Sequence, residues 1–253
     1  MPVPATPSTD LDLIEAFSSI QGEGLLVGVR QIFLRFPECN LTVRYCDTPF
    51  QPTSHCTVED PPGSGNLLQL NNPVCHGQLV EIFNRWCFAA PNVHHSFSIT
   101  GGEPLLHATQ LKEWLLSLRK LLPIYLETNG ILLDQLELLI SQLDWVAMDI
   151  KLESQTGQAT DWKTHRKFLK IANRTNCYVK IVVGNDTSEA ELHQAAKLIN
   201  EVSDAIPLIL QPVTKNGKVG VSVQQLLTMQ QHAAKFHSDV RVVPQTHVFL
   251  GVM

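Results

Sequence analysis

Residues 36–50 read FPECNLTVRYCDTPF and carry two cysteines, Cys39 and Cys46, with Val43 between them. Thiolates are the protein ligands of iron–sulfur clusters, and a short loop can present several of them to one cluster. The spacing leaves room for a third thiol at position 43, but valine offers no lone pair. The loop therefore reads in three ways: a cluster site, the remnant of one, or a loop that happens to hold two cysteines.

Other polar groups recur at the ends of apolar stretches. Thr100-Gly101-Gly102-Glu103-Pro104 follows HSFSI, and Glu127-Thr128-Asn129-Gly130 follows PIYL. Asp149 and Lys151 close WVAMDIK, Lys180 lies within CYVKIVVG, and Gln211-Pro212 end PLILQP. Gly-Gly and Asn-Gly are common turn formers, so each signal alone is weak. Their repeated placement at strand ends is harder to assign to turns.

The elements that would position them alternate. An opening strand and loop are expected over LIEAFSSIQGEG, and strands at RQIFLRF, HSFSIT, PIYLETNG, WVAMDIK, CYVKIVVG, PLILQP and VRVVPQ. Helices are expected between most of them: CHGQLVEIFNRWC with Leu79, Val80, Phe83 and Trp86 on one face, 107–122, LLDQLELLISQL, 161–172, DTSEAELHQAAKLI and SVQQLLTMQQHAAKF. Asp186, Thr187 or Ser188 can cap the helix of DTSEAELHQAAKLI. Alternation of this kind calls for parallel βαβ units. About six units predict an α/β fold with a partial, TIM-like (β/α) barrel, whose sites lie at the C-terminal strand ends. No glycine-rich dinucleotide fingerprint follows the first strand, which argues against a doubly wound sheet. Nothing marks a second domain, so residues 1–253 read as one domain, with 1–11 a disordered lead-in and 49–73 an irregular surface excursion.

Bulk properties narrow the classes. Lys and Arg number 19 against 24 Asp and Glu, a net charge of −5 with no basic stripe, so direct nucleic-acid binding is not expected. No apolar run is long enough to span a bilayer, and MPVPATPSTDLD lacks the parts of a secretory signal. The expectation is a soluble, cytoplasmic protein without membrane contact. Six cysteines are too sparse for a disulfide framework, and Cys87 and Cys177 read as core positions.

SIQGEG, CNLTVRYCDTP, TGGEP, LETNG, DIK and the closing PQTHVFLG, in that order, resemble the 7-carboxy-7-deazaguanine synthases, radical S-adenosylmethionine enzymes of queuosine and deazapurine biosynthesis. The resemblance covers nearly the whole chain. CDT and QTH are its more specific parts, since GGEP is shared by many radical enzymes. It implies a lyase that contracts the ring of 6-carboxy-5,6,7,8-tetrahydropterin to 7-carboxy-7-deazaguanine with release of ammonia. It also implies a [4Fe–4S] cluster, S-adenosylmethionine, Mg2+, an electron donor such as flavodoxin or ferredoxin, and a homodimer.

Carried over by position, the resemblance gives Ile20, Gln21, Gly22, Arg35 and Thr100 to substrate. Arg35 would pair with a substrate carboxylate through its planar fork. Gly102, Glu127, Asp149, Ile150, Lys151 and Gln211 would hold S-adenosylmethionine. Thr48 would offer oxygen to magnesium, a hard cation. Plainer readings stand beside these: Arg35 as a surface strand residue, Thr48 as a turn cap, and Glu127 and Asp149 as acceptors of local backbone N–H groups. His247 reads as a satisfied histidine with no catalytic role, and the other histidines show no ligand spacing with cysteines.

The family pattern is C-x3-C-x2-C, so Cys39, position 43 and Cys46 would carry the cluster, and Val43 replaces its middle ligand. Cys56, ten residues beyond Cys46, is the nearest substitute thiol, and Cys75 lies farther along. Without a substitute, the chain would be a cluster-deficient relative that binds a pterin or an adenosyl group.

Overall fold

The computed structural model of the chain describes residues 10–41 and 51–252. In chain order it begins with β1 (Glu15–Ile20), β2 (Arg30–Phe36), β3 (His55–Glu59), β4 (Leu67–Asn71), α1 (His76–Ala89), β5 (His94–Gly101), α2 (Ala108–Leu118) and β6 (Ile124–Thr128). Next come α3 (Leu133–Leu139), β7 (Trp145–Ile150), α4 (Glu153–Thr156), α5 (Trp162–Ala172), β8 (Asn176–Val183), α6 (Glu189–Val202) and β9 (Leu208–Pro212). The small hairpin β10 (Thr214–Lys215) and β11 (Lys218–Val219), α7 (Val223–Ala234), β12 (Val240–Val242) and α8 (Thr246–Leu250) complete it.

Ten strands form one sheet in the order β12-β9-β8-β7-β6-β5-β2-β1-β3-β4. From β2 through β5, β6, β7, β8 and β9 to β12 every pairing is parallel, which makes six βαβ crossovers. The two edge strands, β12 and β4, do not pair with each other. The fold is thus the expected α/β partial barrel.

Strand periodicity divides the sheet into two chemistries. In β6 to β9 one set of alternate residues enters the main apolar core beneath the helices: Ile124 and Leu126, Val146 and Met148, Val179 and Ile181, Leu208 and Leu210. The other set forms a second cluster, Tyr125, Ala147, Tyr178 and Ile209, lower on the opposite face. Two residues farther along each strand, that same face presents Glu127, Asp149, Lys180 and Gln211. A run that is apolar on one face and aromatic then polar on the other places every polar group at the C-terminal end.

Helix ends are set by local chemistry. Ser188 and Glu191 form a capping box at the start of α6, and Ser222 and Gln225 form another at α7. Each cap contributes about 1 kcal/mol.

Several expectations are corrected. The 49–73 stretch is not irregular throughout: β3 pairs parallel to β1 and antiparallel to β4, and the hairpin extends the sheet. Its signal was the alternation in HCTVE, where Cys56 and Val58 are buried and their neighbours are not. Asp60 then ties the hairpin turn to α1, accepting from Trp86 Nε1 at 2.8 Å and from Arg85 at 2.6 Å. Leu11, expected in the disordered lead-in, is instead buried and bridges to Val74, and residues 1–9 of that lead-in lie outside the described residues. On α1 the buried face is Leu79, Ile82, Phe83 and Trp86; Val80 is only half-buried. Cys177 lies in the core as expected, whereas Cys87 is half-buried at its margin.

Candidate active site

A cleft of about 590 Å³ opens at the C-terminal ends of the strands. Register explains which side chains share it. Across β1, β2 and β5, Glu15 lies opposite Arg35 and Arg35 beside Thr100. Across β7 and β8, Asp149 lies beside Lys180.

Lys180 is the electrostatic centre of the cleft. Its Nζ lies 2.5 Å from Glu23 and 3.5 Å from Asp149, while Lys151 donates to Asp149 at 2.8 Å. Burial alone would lower the Lys180 pKa, but Glu23, Asp149 and Glu127 outweigh it and hold the ammonium well above its ordinary value. Glu23 responds in the opposite sense. Burial would raise its carboxyl, yet Lys180 and the 2.7 Å hydrogen bond from Gln245 pull it down to about 2. Both groups are ionised at neutral pH.

A second network runs through amides and hydroxyls. Thr100 Oγ1 donates to Glu127 at 2.7 Å, and Gln21 Nε2 donates to Glu127 at 3.0 Å and to Gln31 at 2.9 Å. Gln31 in turn donates to Ser96. Glu127 is therefore held by side chains of β5 and of the loop after β1, not by local backbone N–H groups. Arg35 gives its Nε to Glu15 at 2.6 Å and stands 5.5 Å from the centre of the Phe17 ring. That fixes the guanidinium plane while leaving its terminal nitrogens without a hydrogen bond among the described residues.

The turns at the strand ends hold one another. Gly102 N donates to Phe36 O at 2.9 Å and Glu103 N to Glu38 O at 2.8 Å, binding the TGGEP turn to the exit of β2. A Cβ on Gly102 would stand 1.6 Å from the Glu38 carbonyl oxygen, so glycine is required there by packing. Glu103 is fully buried and accepts from Leu105 N, Thr128 Oγ1 and Asn129 N. Desolvation nevertheless raises its carboxyl to about 7. Asn129 reaches on to Asn40 at 2.7 Å, so LETNG also braces the loop that carries Cys39.

The C-terminal segment closes the wall. Thr246 donates its backbone N–H to Gly22 O at 2.8 Å, and a Cβ on Gly22 would meet His247 Nδ1 at 2.4 Å. PQTHVFLG thus packs directly on SIQGEG.

Of the residues singled out from sequence, Ile20, Gln21, Gly22, Arg35, Cys39, Thr100, Gly102, Glu127, Asp149, Lys151 and Gln211 all line this cleft. Ile150 does not; strand alternation turns its side chain into the helix-side core. Cys56 does not either. It is fully buried on β3, and burial, with Glu15 nearby, pushes its thiol up to about 12. Cys46, Thr48 and Val43 lie outside the described residues. Sequence reasoning missed Glu15, Glu23, Tyr178 and Gln245 and gave His247 no role, yet all five line the cleft. Glu23 sat in the quoted SIQGEG motif, but its partner Lys180 lies 157 residues away.

The chain is 46% identical over 242 residues to the 7-carboxy-7-deazaguanine synthase of Geobacter sulfurreducens, covering 95% of this chain and 97% of that one. The chain belongs to the 7-carboxy-7-deazaguanine synthase family. The enzyme of that name from Methanothermobacter thermautotrophicus is 35% identical over 260 residues, again covering 95% and 97% of the two chains. No protein-family model matches the chain. Among solved structures, QueE from Escherichia coli superposes with a TM-score of 0.57 at 20% identity, covering 95% of this chain and 96% of that one. SuiB from Streptococcus suis, solved bound to S-adenosylmethionine, gives 0.54 at 16% identity and covers 86% and 49%. These two likenesses concern the fold.

Do the residues present fit the groups the synthase family implies? For S-adenosylmethionine they do. Asn129 Oδ1, Asp149 Oδ1 and Gln211 Oε1 are buried acceptors on the cleft wall with no hydrogen-bond partner among the described residues. Such groups call for donors, and the amino and hydroxyl groups of S-adenosylmethionine are donors. For a cluster held by three thiolates the donor set does not fit. The cysteine loop supplies Cys39 and Cys46 with valine between them, and the Cys56 thiol is protonated within the core.

Proposed function

We propose that this cleft is the active site of a 7-carboxy-7-deazaguanine synthase. In this reading it binds 6-carboxy-5,6,7,8-tetrahydropterin beside S-adenosylmethionine and serves the carbon–nitrogen lyase reaction that contracts the pterin ring with release of ammonia. The observation that carries the reading is the convergence of Gln21, Arg35, Thr100, Glu127, Asp149 and Gln211 in one cleft.

The roles follow from chemistry already described. Arg35, with one nitrogen fixed by Glu15, offers its remaining donors to the pterin carboxylate. Ile20, Gln21 and Gly22, with Thr100, hold the ring edges. Asp149, Lys151, Gln211 and Glu127 receive S-adenosylmethionine, with Gly102 at its methionine end; bound there, that cofactor supplies the adenosyl group the reaction requires. Thr48 is the residue that would hold Mg2+. We extend the proposal, by family likeness, to a flavodoxin or ferredoxin as electron donor, a homodimer, a cytoplasmic setting and a place in queuosine biosynthesis, the route to a modified tRNA base.

Val43 favours a second reading, a cluster-free protein that binds a pterin or an adenosyl group without radical chemistry. Anaerobic reconstitution with iron and sulfide separates the two. About four irons per chain, with S-adenosylmethionine cleaved to 5′-deoxyadenosine, supports the synthase and removes the binding protein. No retained iron overturns the synthase reading. Calorimetry with S-adenosylmethionine and 6-carboxypterin then tests the second, which fails if neither binds.

A further inference from the structure

On the outer surface, away from the cleft, α6 and α7 converge on a cluster that the proposed function does not use. Glu189 and His193 stand one turn apart on α6, and His232 lies in the last turn of α7. We propose that Glu189, His193 and His232 bind a zinc-like divalent ion that bridges the two helices.

The geometry is close to what such an ion needs. One ligand atom from each residue lies within 4.8 Å of the other two. Glu189 Oε1 is 3.1 Å from His193 Nε2 and 2.7 Å from His232 Nδ1. Metal–ligand bonds of about 2.0–2.1 Å in a tetrahedron set ligands about 3.3 Å apart, and both imidazole nitrogens stand near that distance from Glu189 Oε1. Two imidazoles and one carboxylate suit zinc, whereas magnesium and calcium prefer all-oxygen sets. Glu189 is half-exposed, which leaves the fourth position open to water.

Two further observations point to a ligand. His193 Nε2 is shut off from solvent and makes no hydrogen bond among the described residues, its approach to Glu189 being close but misaligned. Its ring is held edge-on to Phe236 at 4.7 Å, and the Lys197 ammonium covers Phe236 at 4.2 Å, so this ligand is already oriented. Lys235 Nζ lies 3.0 Å from Glu189 Oε1 and 3.3 Å from His232 Nδ1. A cation therefore already sits against the same atoms, and the metal must displace that ammonium. The plainer account is that Glu189 merely gathers surface ion pairs, each worth about 0–1 kcal/mol. That account pairs His193 with Glu189 but gives the buried His193 Nε2 no aligned hydrogen bond.

α6 follows β8 and α7 follows β9, the strands that carry Lys180 and Gln211, and the two helices pack on each other, so an ion there would clamp the two crossovers that lead out of those strands. It stands or falls independently of the synthase reading. The test is calorimetric titration of tag-free, metal-free full-length protein with Zn2+. A Cys39→Ser/Cys46→Ser background keeps those loop thiols from competing. One equivalent of zinc is expected, weakened at least about tenfold in His193→Gln and in His232→Gln, by comparison with the cost of losing even an outer-shell partner. Saturating zinc should raise the Tm of the parent and not of these variants. Lys235→Met should tighten binding by removing the competing charge. Co2+ should give tetrahedral visible absorption in the parent alone. Zinc stoichiometry and affinity unchanged in both histidine variants would overturn the proposal, as would the absence of any bound equivalent in the parent. Should His193→Gln lose its packing on Phe236, His232→Gln carries the same test.

Discussion

Lys180 Nζ lies 2.5 Å from Glu23 Oε2, joining β8 to the loop after β1 across 157 residues of chain. Both side chains are mostly buried, so removing one partner strands a charge and costs about 3–5 kcal/mol. Lys180→Met should cost more than Glu23→Gln, because it leaves Asp149 as well as Glu23 without that ammonium. The double replacement should cost less than the sum of the singles. Urea unfolding of the four proteins measures this; strict additivity would mean that the pair is not coupled.

Glu103 gives the pH dependence its sign. Its carboxyl sits at about 7 in the folded chain against an ordinary 4.5. Between those values the native state binds the extra proton, so this group's contribution to stability is complete below pH 4.5 and declines as pH rises to 7, by roughly 3 kcal/mol. The stability difference between the parent and Glu103→Gln should narrow over that interval. A difference that stays constant from pH 4.5 to 7 would show a carboxyl ionised throughout.

Gly102→Ala drives a methyl group into the Glu38 carbonyl, at 1.6 Å before relaxation. Because both sides of the contact are backbone, relief requires moving the turn or the loop that carries Cys39. A loss of roughly 3 kcal/mol is expected, together with weakened S-adenosylmethionine binding. Gly63→Ala, where a Cβ meets nothing within 4 Å but φ is +77°, should cost about 1–2 kcal/mol and leave binding unchanged. Thermal unfolding and calorimetry of the two variants check the contrast.

Arg35→Lys keeps the charge but loses the fork. If Arg35 holds the pterin carboxylate, the replacement should cost about 1.5–3 kcal/mol of substrate binding, roughly ten- to a hundredfold in Kd. S-adenosylmethionine affinity should not change. Equal loss for both ligands would assign Arg35 to the shape of the cleft instead.

Cysteine replacements separate cluster ligation from packing. Cys56→Ala should destabilise the sheet edge by about 1 kcal/mol while leaving reconstituted iron unchanged, since that thiol is in the core. Val43→Cys should raise retained iron. If Cys56→Ala abolishes iron binding, Cys56 is the substitute ligand after all.

Much of this architecture is legible in the sequence. Alternating apolar runs in PIYLET, WVAMDI and NCYVKIVV encode strands with two different faces, and helical runs between them force parallel crossovers. Because parallel strands place all their C-terminal ends together, Thr100, Glu127, Asp149 and Gln211 could be assigned to one rim by position alone. The β3–β4 hairpin was missed because five-residue strands within a Pro- and Gly-rich stretch leave only two buried side chains, Cys56 and Val58, as a signal.

The sequence by itself determined the order of the parallel strands and of the main helices between them, the rim on which the polar residues stand, and the absence of a thiol at position 43. These are local properties, set by side-chain identity and by periods of 2 and 3.6 residues. Only the tertiary structure decided which rim residues touch. It paired Glu23 with Lys180 and Glu15 with Arg35, took Cys56 into the core, and set His193 beside His232. Those contacts depend on strand register and helix packing between segments far apart in the chain, which no local pattern encodes.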